Sequence, residues 1–269
     1  MKARIDGGWI EYDVRGEGPA LVLLHAFPLG SFMWDPQCET LSAARRVVRF
    51  DARGFGESDL ADGPLTMERI ADDAAALMDA LSIERAVVGG CSMGGYAALA
   101  FVRRHPQRLL GVVLQDTRAG ADTAEAKAGR AALAEKVLAE GPEAAVAAFL
   151  PKLVGETTHR ERPDLVASLR ARILATPPPA IASALHGLAA RADSRETLPT
   201  IAVPTLVMVG AEDALTPPAE AALLAAAIPR ARFDVIPGAG HLANLENPAA
   251  VNAALGAFLA VHASSGPDR

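Results

Sequence analysis

Apolar positions along the chain follow two alternating patterns. Short, nearly uninterrupted apolar runs, which predict strands, lie at residues 20–24, 46–51, 86–89, 109–115, 205–210 and 232–236. Longer stretches that predict helices lie at residues 33–41, 66–81, 217–227 and 248–261. A hairpin is predicted at residues 5–14, ahead of the first run. Because strands and helices alternate, the sequence predicts an α/β fold with a mainly parallel central sheet flanked by helices.

The pattern changes between residue 118 and about residue 198, an Ala-rich stretch without a strand-like run. This stretch predicts four amphipathic helices, at residues 122–136, 142–150, 163–175 and 178–191. An all-helical block between two strands is expected to form an insertion over one edge of the sheet. The tail from His262 to Arg269 is predicted to be disordered.

Composition narrows the classes of function. The chain of 269 residues is 51% hydrophobic and 22% charged, as expected of a globular protein. Its net charge of −6 offers no basic surface for nucleic acid. No apolar run approaches the ~20 residues that span a bilayer, and the N-terminus lacks the apolar core of a signal peptide. We therefore expect a cytoplasmic protein that binds neither nucleic acid nor membrane.

The candidate chemistry centres on residues 90–94, Gly-Cys-Ser-Met-Gly, between a predicted strand and an Ala-rich predicted helix. These residues fit G-x-S-x-G, the sharp turn known as the nucleophile elbow. Side chains at Gly90 or Gly94 are expected to collide with neighbouring backbone in so tight a turn. Ser92 is therefore the candidate nucleophile, and a glycine-rich turn with a surface serine is the alternative. The thiol of Cys91 is expected to point into the fold, where it is inert.

A serine hydroxyl needs a general base, and the chain has six histidines. His241 lies in a glycine-rich loop after the last predicted strand, from which an imidazole can reach the elbow. His25 follows an apolar run, and a structural histidine bonded to backbone is the simpler interpretation there. The remaining histidines lie at a helix end, in the helical block and in the tail: His105, His159, His186 and His262. His241 is therefore the candidate base.

The base in turn needs an orienting carboxylate. Asp213 follows the predicted strand at 205–210, and its loop and that of His241 follow consecutive strands. Asp116, at the end of the strand after the elbow, satisfies the same Ser–acid–His order along the chain and remains a rival. Glu212 is a weaker candidate that is expected to face solvent. We prefer Asp213 as the orienting acid.

The developing oxyanion needs backbone N–H donors. Met93, directly after the candidate nucleophile, supplies one, and Phe27, in the loop after the run at 20–24, is expected to supply the other. No metal-ligand cluster appears in the sequence, and no phosphate-loop lysine follows the glycines near residue 54, so neither a metal nor a cofactor is expected. Asp72 and Asp73 are expected to form a solvated pair on a helix face.

Five motifs in order carry a resemblance to a known family. They are residues 25–28 (His-Ala-Phe-Pro), 51–58 (Asp-Ala-Arg-Gly-Phe-Gly-Glu-Ser), 90–95 (Gly-Cys-Ser-Met-Gly-Gly), 210–213 (Gly-Ala-Glu-Asp) and 238–241 (Gly-Ala-Gly-His). Together they resemble the α/β-hydrolase superfamily. The resemblance implies a Ser92–Asp213–His241 triad with an oxyanion hole from Phe27 and Met93. The family usually has glycine where Ala26 stands, which is expected to shift the oxyanion loop slightly.

The resemblance also implies a domain organisation. A core domain of residues 1–117 and 198–269 would carry a helical cap, residues 118–197, inserted after the sixth strand. Residues 93–96 and 115–119 make the chain similar to bacterial carboxylesterases grouped near the 3-oxoadipate enol-lactonases. The implied activity is hydrolysis of small carboxylic esters through an acyl-enzyme, without a cofactor. The implied substrate contacts are His25, Phe27, Met93 and Arg118.

Three alternatives remain open. The first is an enol-lactonase that acts on an anionic lactone, such as 3-oxoadipate enol-lactone, with Arg118 as the cation near the site. The second is a perhydrolase or cofactor-free haloperoxidase with the same triad. The third is a non-enzymatic ligand receptor on a hydrolase scaffold, since fold alone does not determine function. The expected partner is a small-molecule ester or lactone, and association into a homo-oligomer is also left open.

Overall fold

The computed structural model describes residues 1–262 and is built on an eight-stranded sheet. The strands are β1 (Lys2–Ile5), β2 (Gly8–Arg15), β3 (Ala20–Leu24), β4 (Arg46–Phe50), β5 (Ala86–Cys91), β6 (Leu109–Gln115), β7 (Thr205–Gly210) and β8 (Ala231–Ile236). Their order across the sheet is β1-β2-β4-β3-β5-β6-β7-β8. β2 is antiparallel to both β1 and β4, and every other neighbouring pair is parallel. The predicted mainly parallel sheet is therefore confirmed.

Helices occupy most connections between the strands. They are α1 (Asp35–Leu41), α2 (Met67–Ala80), α3 (Met93–Arg104), α4 (Ala124–Glu140), α5 (Glu143–Leu153), α6 (Glu156–Glu161), α7 (Pro163–Ala175), α8 (Pro178–Ala190), α9 (Pro218–Ala226), α10 (Ala243–Glu246) and α11 (Pro248–His262). The helix predicted at 33–41 begins instead as a 3-10 turn at Ser31–Trp34, followed by α1. Of the predicted tail, His262 ends α11, and residues 263–269 lie outside the described residues. Across residues 1–262, no helix combines the length and the apolar character needed to cross a bilayer.

The register of the central strands places their carboxyl ends at one edge of the sheet. Every residue of β3, β5 and β7 is buried, which explains their uninterrupted apolar sequences. Leu24 pairs with Gly90, Cys91 with Gln115, and Gln115 with Met208. The loops that leave β3, β5, β6 and β7 therefore begin side by side, at the edge where ligands bind in sheets of this type.

Residues 118–197, which we call the helical insertion, contain α4 to α8 between β6 and β7. The prediction of four helices was wrong by one, because α6 has the polar sequence Glu-Thr-Thr-His-Arg-Glu without apolar spacing. Side chains from outside the insertion hold α6: Glu246 Oε2 accepts from the Gly155 N–H at 2.7 Å, and Glu212 Oε2 accepts from the Thr157 N–H at 2.9 Å. A short helix stabilised by such distant partners leaves no periodic signal. The division into core and cap domains stays a prediction.

A buried ion pair fixes the loop after β4. Arg53 donates to Asp73 on α2 through Nε, 2.8 Å from Oδ2, and through Nη2, 2.9 Å from Oδ1. The two residues are 5% and 2% exposed, and Nη2 also donates to the Ile5 carbonyl at 2.8 Å. The expectation of a solvated pair was therefore wrong for Asp73. Its neighbour Asp72 lies at the surface and accepts from Arg104 Nε at 2.7 Å.

We expect Asp73→Asn to lower the free energy of unfolding by about 3–5 kcal/mol, because it leaves the Arg53 charge buried without a counter-ion. Asp72→Asn is the matched control, one residue away on the same helix, and is expected to cost no more than about 1 kcal/mol because its ion pair is exposed. Urea unfolding followed by circular dichroism measures both. Equal losses in the two variants would contradict a buried role for the Arg53–Asp73 pair.

Candidate active site

Ser92 lies in a strained turn between β5 and α3, with φ 53° and ψ −111°. A Cβ on Gly90 would meet the carbonyl oxygen of Gly94, and a Cβ on Gly94 would meet that of Leu24. Backbone therefore packs directly against backbone on both sides of the serine. This close approach explains both glycines of the motif and holds Ser92 in a conformation that residues with side chains rarely adopt.

His241 and Asp213 are in direct contact, although they lie on two different loops. His241 Nδ1 is 2.9 Å from Asp213 Oδ2. His241 belongs to residues 237–242, which we call the base loop, and Asp213 to residues 211–217, which we call the acid loop. The two residues are 2% and 3% exposed, so the hydrogen bond is shielded from solvent. The structure thus brings together two of the predicted site residues.

The surroundings of Asp213 indicate which ring nitrogen of His241 carries the proton. Asp213 Oδ1 accepts from the N–H groups of Leu215 and Thr216, and Oδ2 accepts from the Thr216 hydroxyl. Burial opposes ionisation of Asp213, but the contact with His241 and these donors outweigh it and lower its pKa. An ionised Asp213 needs a donor at His241 Nδ1, which leaves the Nε2 lone pair free to take a proton.

Ser92 and His241 line the same small cavity, which has a volume of about 60 Å³. The other residues around it are Phe27, Tyr96, Arg118, Arg130, Phe149, Leu153, Leu188, Leu215 and Thr216. Both Ser92 and His241 lie within the described chain, and no hydrogen bond joins their side chains there. Contacts between a nucleophile and its base often tighten only when substrate binds. The shared cavity is where a reacting group would meet both side chains.

Two backbone amides next to the cavity have no partner. Within residues 1–262, the N–H groups of Phe27 and Met93 form no hydrogen bond. Met93 is the first residue of α3, where a helical N–H lacks an intrahelical acceptor and the helix dipole favours negative charge. Phe27 is one of the residues that line the cavity, and the Met93 side chain is buried in the core. Met93 can therefore face the site only through its backbone.

Asp116, the rival carboxylate, does not contact His241. It is fully buried, with Oδ1 accepting from the Gly210 N–H at 2.7 Å and Oδ2 from the Ala243 N–H at 3.3 Å. Burial, reinforced by the charge of Asp213, raises the pKa of Asp116 well above its usual value. Asp116 therefore joins the strand end before the acid loop to the residues just after the base loop. Of the two carboxylates, Asp213 is the one that contacts the His241 imidazole.

The neighbouring cysteine points away from the cavity, as expected. Cys91 is fully buried, and its Sγ donates to the His241 carbonyl at 3.6 Å. Burial raises the pKa of its thiol well above the usual value, so the reactive thiolate is disfavoured.

His25 is not among the residues that line the cavity, and its expected contact with substrate stays a prediction. Its Nδ1 lies 3.0 Å from the Ala26 carbonyl, and its Nε2 accepts from the Ala52 N–H at 2.9 Å. Burial lowers the pKa of His25, which favours the neutral ring that this pattern needs. His25 is a structural residue that joins the loops after β3 and β4.

Several residues at the site were not predicted. Tyr96 and Arg130 line the cavity, and Glu246 accepts from the Leu242 N–H at 3.0 Å as well as from the helical insertion. Glu212, expected to face solvent, accepts from the Thr157 hydroxyl at 2.6 Å. Gly155 lies 91 residues from Glu246 and Thr157 lies 55 residues from Glu212, so the sequence gives no local signal of these two contacts. Within residues 1–262, no three His, Cys, Asp or Glu side chains are grouped to hold a metal ion.

The chain is similar to known esterases and enol-lactonases. A thermophilic esterase from Thermogutta terrifontis, solved with malate bound, is 42% identical, with a TM-score of 0.95 over 98% of this chain and 97% of that one. The enol-lactonase from Burkholderia xenovorans LB400 is 34% identical, with a TM-score of 0.90 over 97% of this chain and 100% of that one. The 3-oxoadipate enol-lactonase 1 of Acinetobacter baylyi is 32% identical over 230 residues, 86% of this chain and 84% of its own.

The family assignment follows from the same comparisons. Residues 19–248 match the family described as having the alpha/beta hydrolase fold, which confirms both the fold and the resemblance seen in the motifs. The chain belongs to the α/β-hydrolase fold family, and its relatives include esterases and enol-lactonases.

Proposed function

We propose that the protein hydrolyses small carboxylic esters through an acyl-enzyme formed on Ser92. The observation that carries the proposal is the shared cavity, because Ser92 and His241 both line it and His241 is hydrogen-bonded to the buried Asp213. A hydroxyl, an imidazole and a carboxylate in this arrangement suit nucleophilic cleavage of an ester. The 42% identity to the Thermogutta terrifontis esterase supports the choice of substrate class.

The reaction proceeds in two halves. His241 Nε2 takes the Ser92 proton while Oγ bonds to the ester carbonyl carbon, and Nε2 then protonates the alcohol as its C–O bond breaks. In the second half a water gives a proton to Nε2 and its oxygen attacks the acyl carbon. The bond to Ser92 Oγ breaks, Oγ regains the proton, and the carboxylic acid leaves. Asp213 stabilises the imidazolium in both halves.

The two unpartnered amides supply the remaining element of this mechanism. The N–H groups of Phe27 and Met93 hold the carbonyl oxygen as it becomes negative, and each such donor typically contributes about 3–4 kcal/mol to transition-state stabilisation. Because a strained, closely packed turn fixes Met93 next to Ser92, this donor needs little reorganisation during the reaction.

We expect Ser92→Ala to lower kcat for p-nitrophenyl acetate by about 10⁶-fold, with the unfolding midpoint nearly unchanged. Cys91→Ala is the matched control from the adjacent position and is expected to keep the activity, since its thiol points away from the cavity. Initial rates and thermal unfolding measure these effects. Full activity in the Ser92 variant would overturn the proposal.

A second pair of variants tests the acid. Asp213→Asn is expected to lower kcat by about 10⁴-fold, because an amide cannot hold the imidazole in the required tautomer. Asp116→Asn is expected to cost much less, because Asp116 does not contact His241. The opposite order of effects would give the orienting role to Asp116.

A lactone that carries a carboxylate is the second candidate substrate. Arg118 lines the cavity, and its ion pair with Glu220 is long, 3.6 Å, and exposed. Arg130 also lines the cavity, but its charge is matched by the buried Asp122, with Nε 2.5 Å from Oδ2. Arg118 is therefore the better placed cation for an anionic substrate. The identities of 34% and 32% to enol-lactonases favour the same substrate class.

The quantity compared is kcat/KM for a carboxylated γ-lactone divided by kcat/KM for p-nitrophenyl acetate. We expect Arg118→Ala to lower this ratio by about 10–100-fold, the usual effect of losing a charged hydrogen bond. Arg118→Lys keeps the charge and is expected to restore most of the ratio. Steady-state kinetics with both substrates measures it. An unchanged ratio would rule out Arg118 as the group that recognises the carboxylate.

A further inference from the structure

The volume of the catalytic cavity limits what it can hold. At about 60 Å³ it is far smaller than the roughly 300–1,000 Å³ of typical small-molecule sites. An ester has two substituents, one on each side of the reacting carbonyl, and both need space during the reaction. Part of any substrate larger than the smallest esters must therefore extend beyond this cavity.

A larger groove lies on the other side of one cavity wall. It has a volume of about 430 Å³, and its lining includes Arg118, Ala121, Leu198, Leu223, Leu224 and Ala227. We call it the junction groove, because residues 118–121 and 195–198, where the helical insertion leaves and rejoins the sheet, meet α9 there. Arg118 lines both the junction groove and the catalytic cavity.

The groove offers a mainly apolar surface, although the charged Arg195 and Glu220 also line it. Leu223 is 73% exposed, the largest exposed fraction among the large hydrophobic residues in the described part of the chain. Leu224 and Leu198 lie beneath it and belong to the core. Such a surface, separated from the catalytic cavity by Arg118, suits an alkyl group better than a strongly hydrated one.

Arg118, which also interacts with the side chain of the buried Tyr96, is the wall residue whose ion pair is exposed. Its side chain is 37% exposed, and its ion pair with Glu220 is both long and exposed, a kind of contact that contributes little to stability. Its Nε is buried without a hydrogen-bond partner within residues 1–262, so the conformation leaves one polar atom unsatisfied. The neighbouring Leu153 and Leu188 are, in contrast, packed in the core. Rotation of Arg118 towards solvent would join the two spaces.

We propose that the junction groove binds an unbranched alkyl group of the substrate ester, with Arg118 as the movable wall between this subsite and Ser92. The proposal rests on the proposed function, because it places the reacting carbonyl at Ser92. It makes esters with a medium-length alkyl group the preferred substrate class, and it makes Arg118 and Leu223 determinants of chain-length specificity.

The test compares two series of esters, one with a lengthening acyl group and one with a lengthening alcohol. The ratio of kcat/KM compared is octanoyl to acetyl in the acyl series and octyl to methyl in the alcohol series. Leu223→Glu is expected to lower this ratio by about tenfold in one of the two series, the effect of losing contact with roughly two methylene groups. Leu138→Glu is the matched control, since Leu138 is 55% exposed on α4 outside the groove. Arg118→Ala is expected to raise the same ratio, because it removes the wall.

Binding gives a readout that does not depend on turnover. Titration calorimetry of octyl acetate and p-nitrophenyl octanoate with the Ser92→Ala variant measures the subsite even if the esterase proposal fails. Adding Leu223→Glu to that variant is expected to weaken the binding of one of these ligands about tenfold. Ratios and affinities that neither groove substitution changes would overturn the subsite. A changed sedimentation mass in Leu223→Glu with unchanged ratios would instead assign the groove to contact between copies, which also overturns it.

Discussion

The backbone of residues 90–94 lies in direct contact with the backbone at the end of β3, and this contact sets the position of the rest of the site. The turn lies against the carbonyl group of Leu24, at the end of the neighbouring strand β3, and no side chain fits between them. The same contact therefore fixes the loop that carries Phe27 relative to Ser92 and to the N-terminus of α3. The hydroxyl and both unpartnered amides depend on one close approach that only glycine permits.

Buried carboxylates extend this constraint to the remaining loops. Asp116 ties the strand end before the acid loop to the residues after the base loop, and Glu246 ties the base loop to Gly155 in the helical insertion. Asp213 holds the imidazole and also fixes its own loop through the N–H groups of Leu215 and Thr216. Because the same carboxylate contacts both the base loop and the insertion, a displacement of the insertion would be felt at His241. The insertion is thus mechanically part of the candidate site, and it also forms much of the cavity wall.

The meeting of Ser92 and His241 at one cavity could be predicted because their signals are local: a glycine pattern around Ser92 and a glycine-rich loop before His241. The choice of Asp213 needed only the order of strands, which the apolar runs already gave. Asp73 was misjudged because its partner, Arg53, lies 20 residues away. The interpretation of His25 as a structural residue was correct, although its partner, the Ala52 N–H, lies 27 residues away. Local polarity does not tell whether a charged or titratable side chain meets a distant partner or solvent.

The distribution of charge around the cavity limits what can bind there. Arg130 and Arg191 share the buried Asp122, which leaves this cluster with one net positive charge on the side of the helical insertion. The ionised Asp213 places one negative charge next to the imidazole of His241. Arg118 also lines the cavity, and its ion-pair partner Glu220 is exposed. The proposal of an anionic lactone as the second substrate class therefore depends on Arg118 more than on Arg130, which is ion-paired with the buried Asp122.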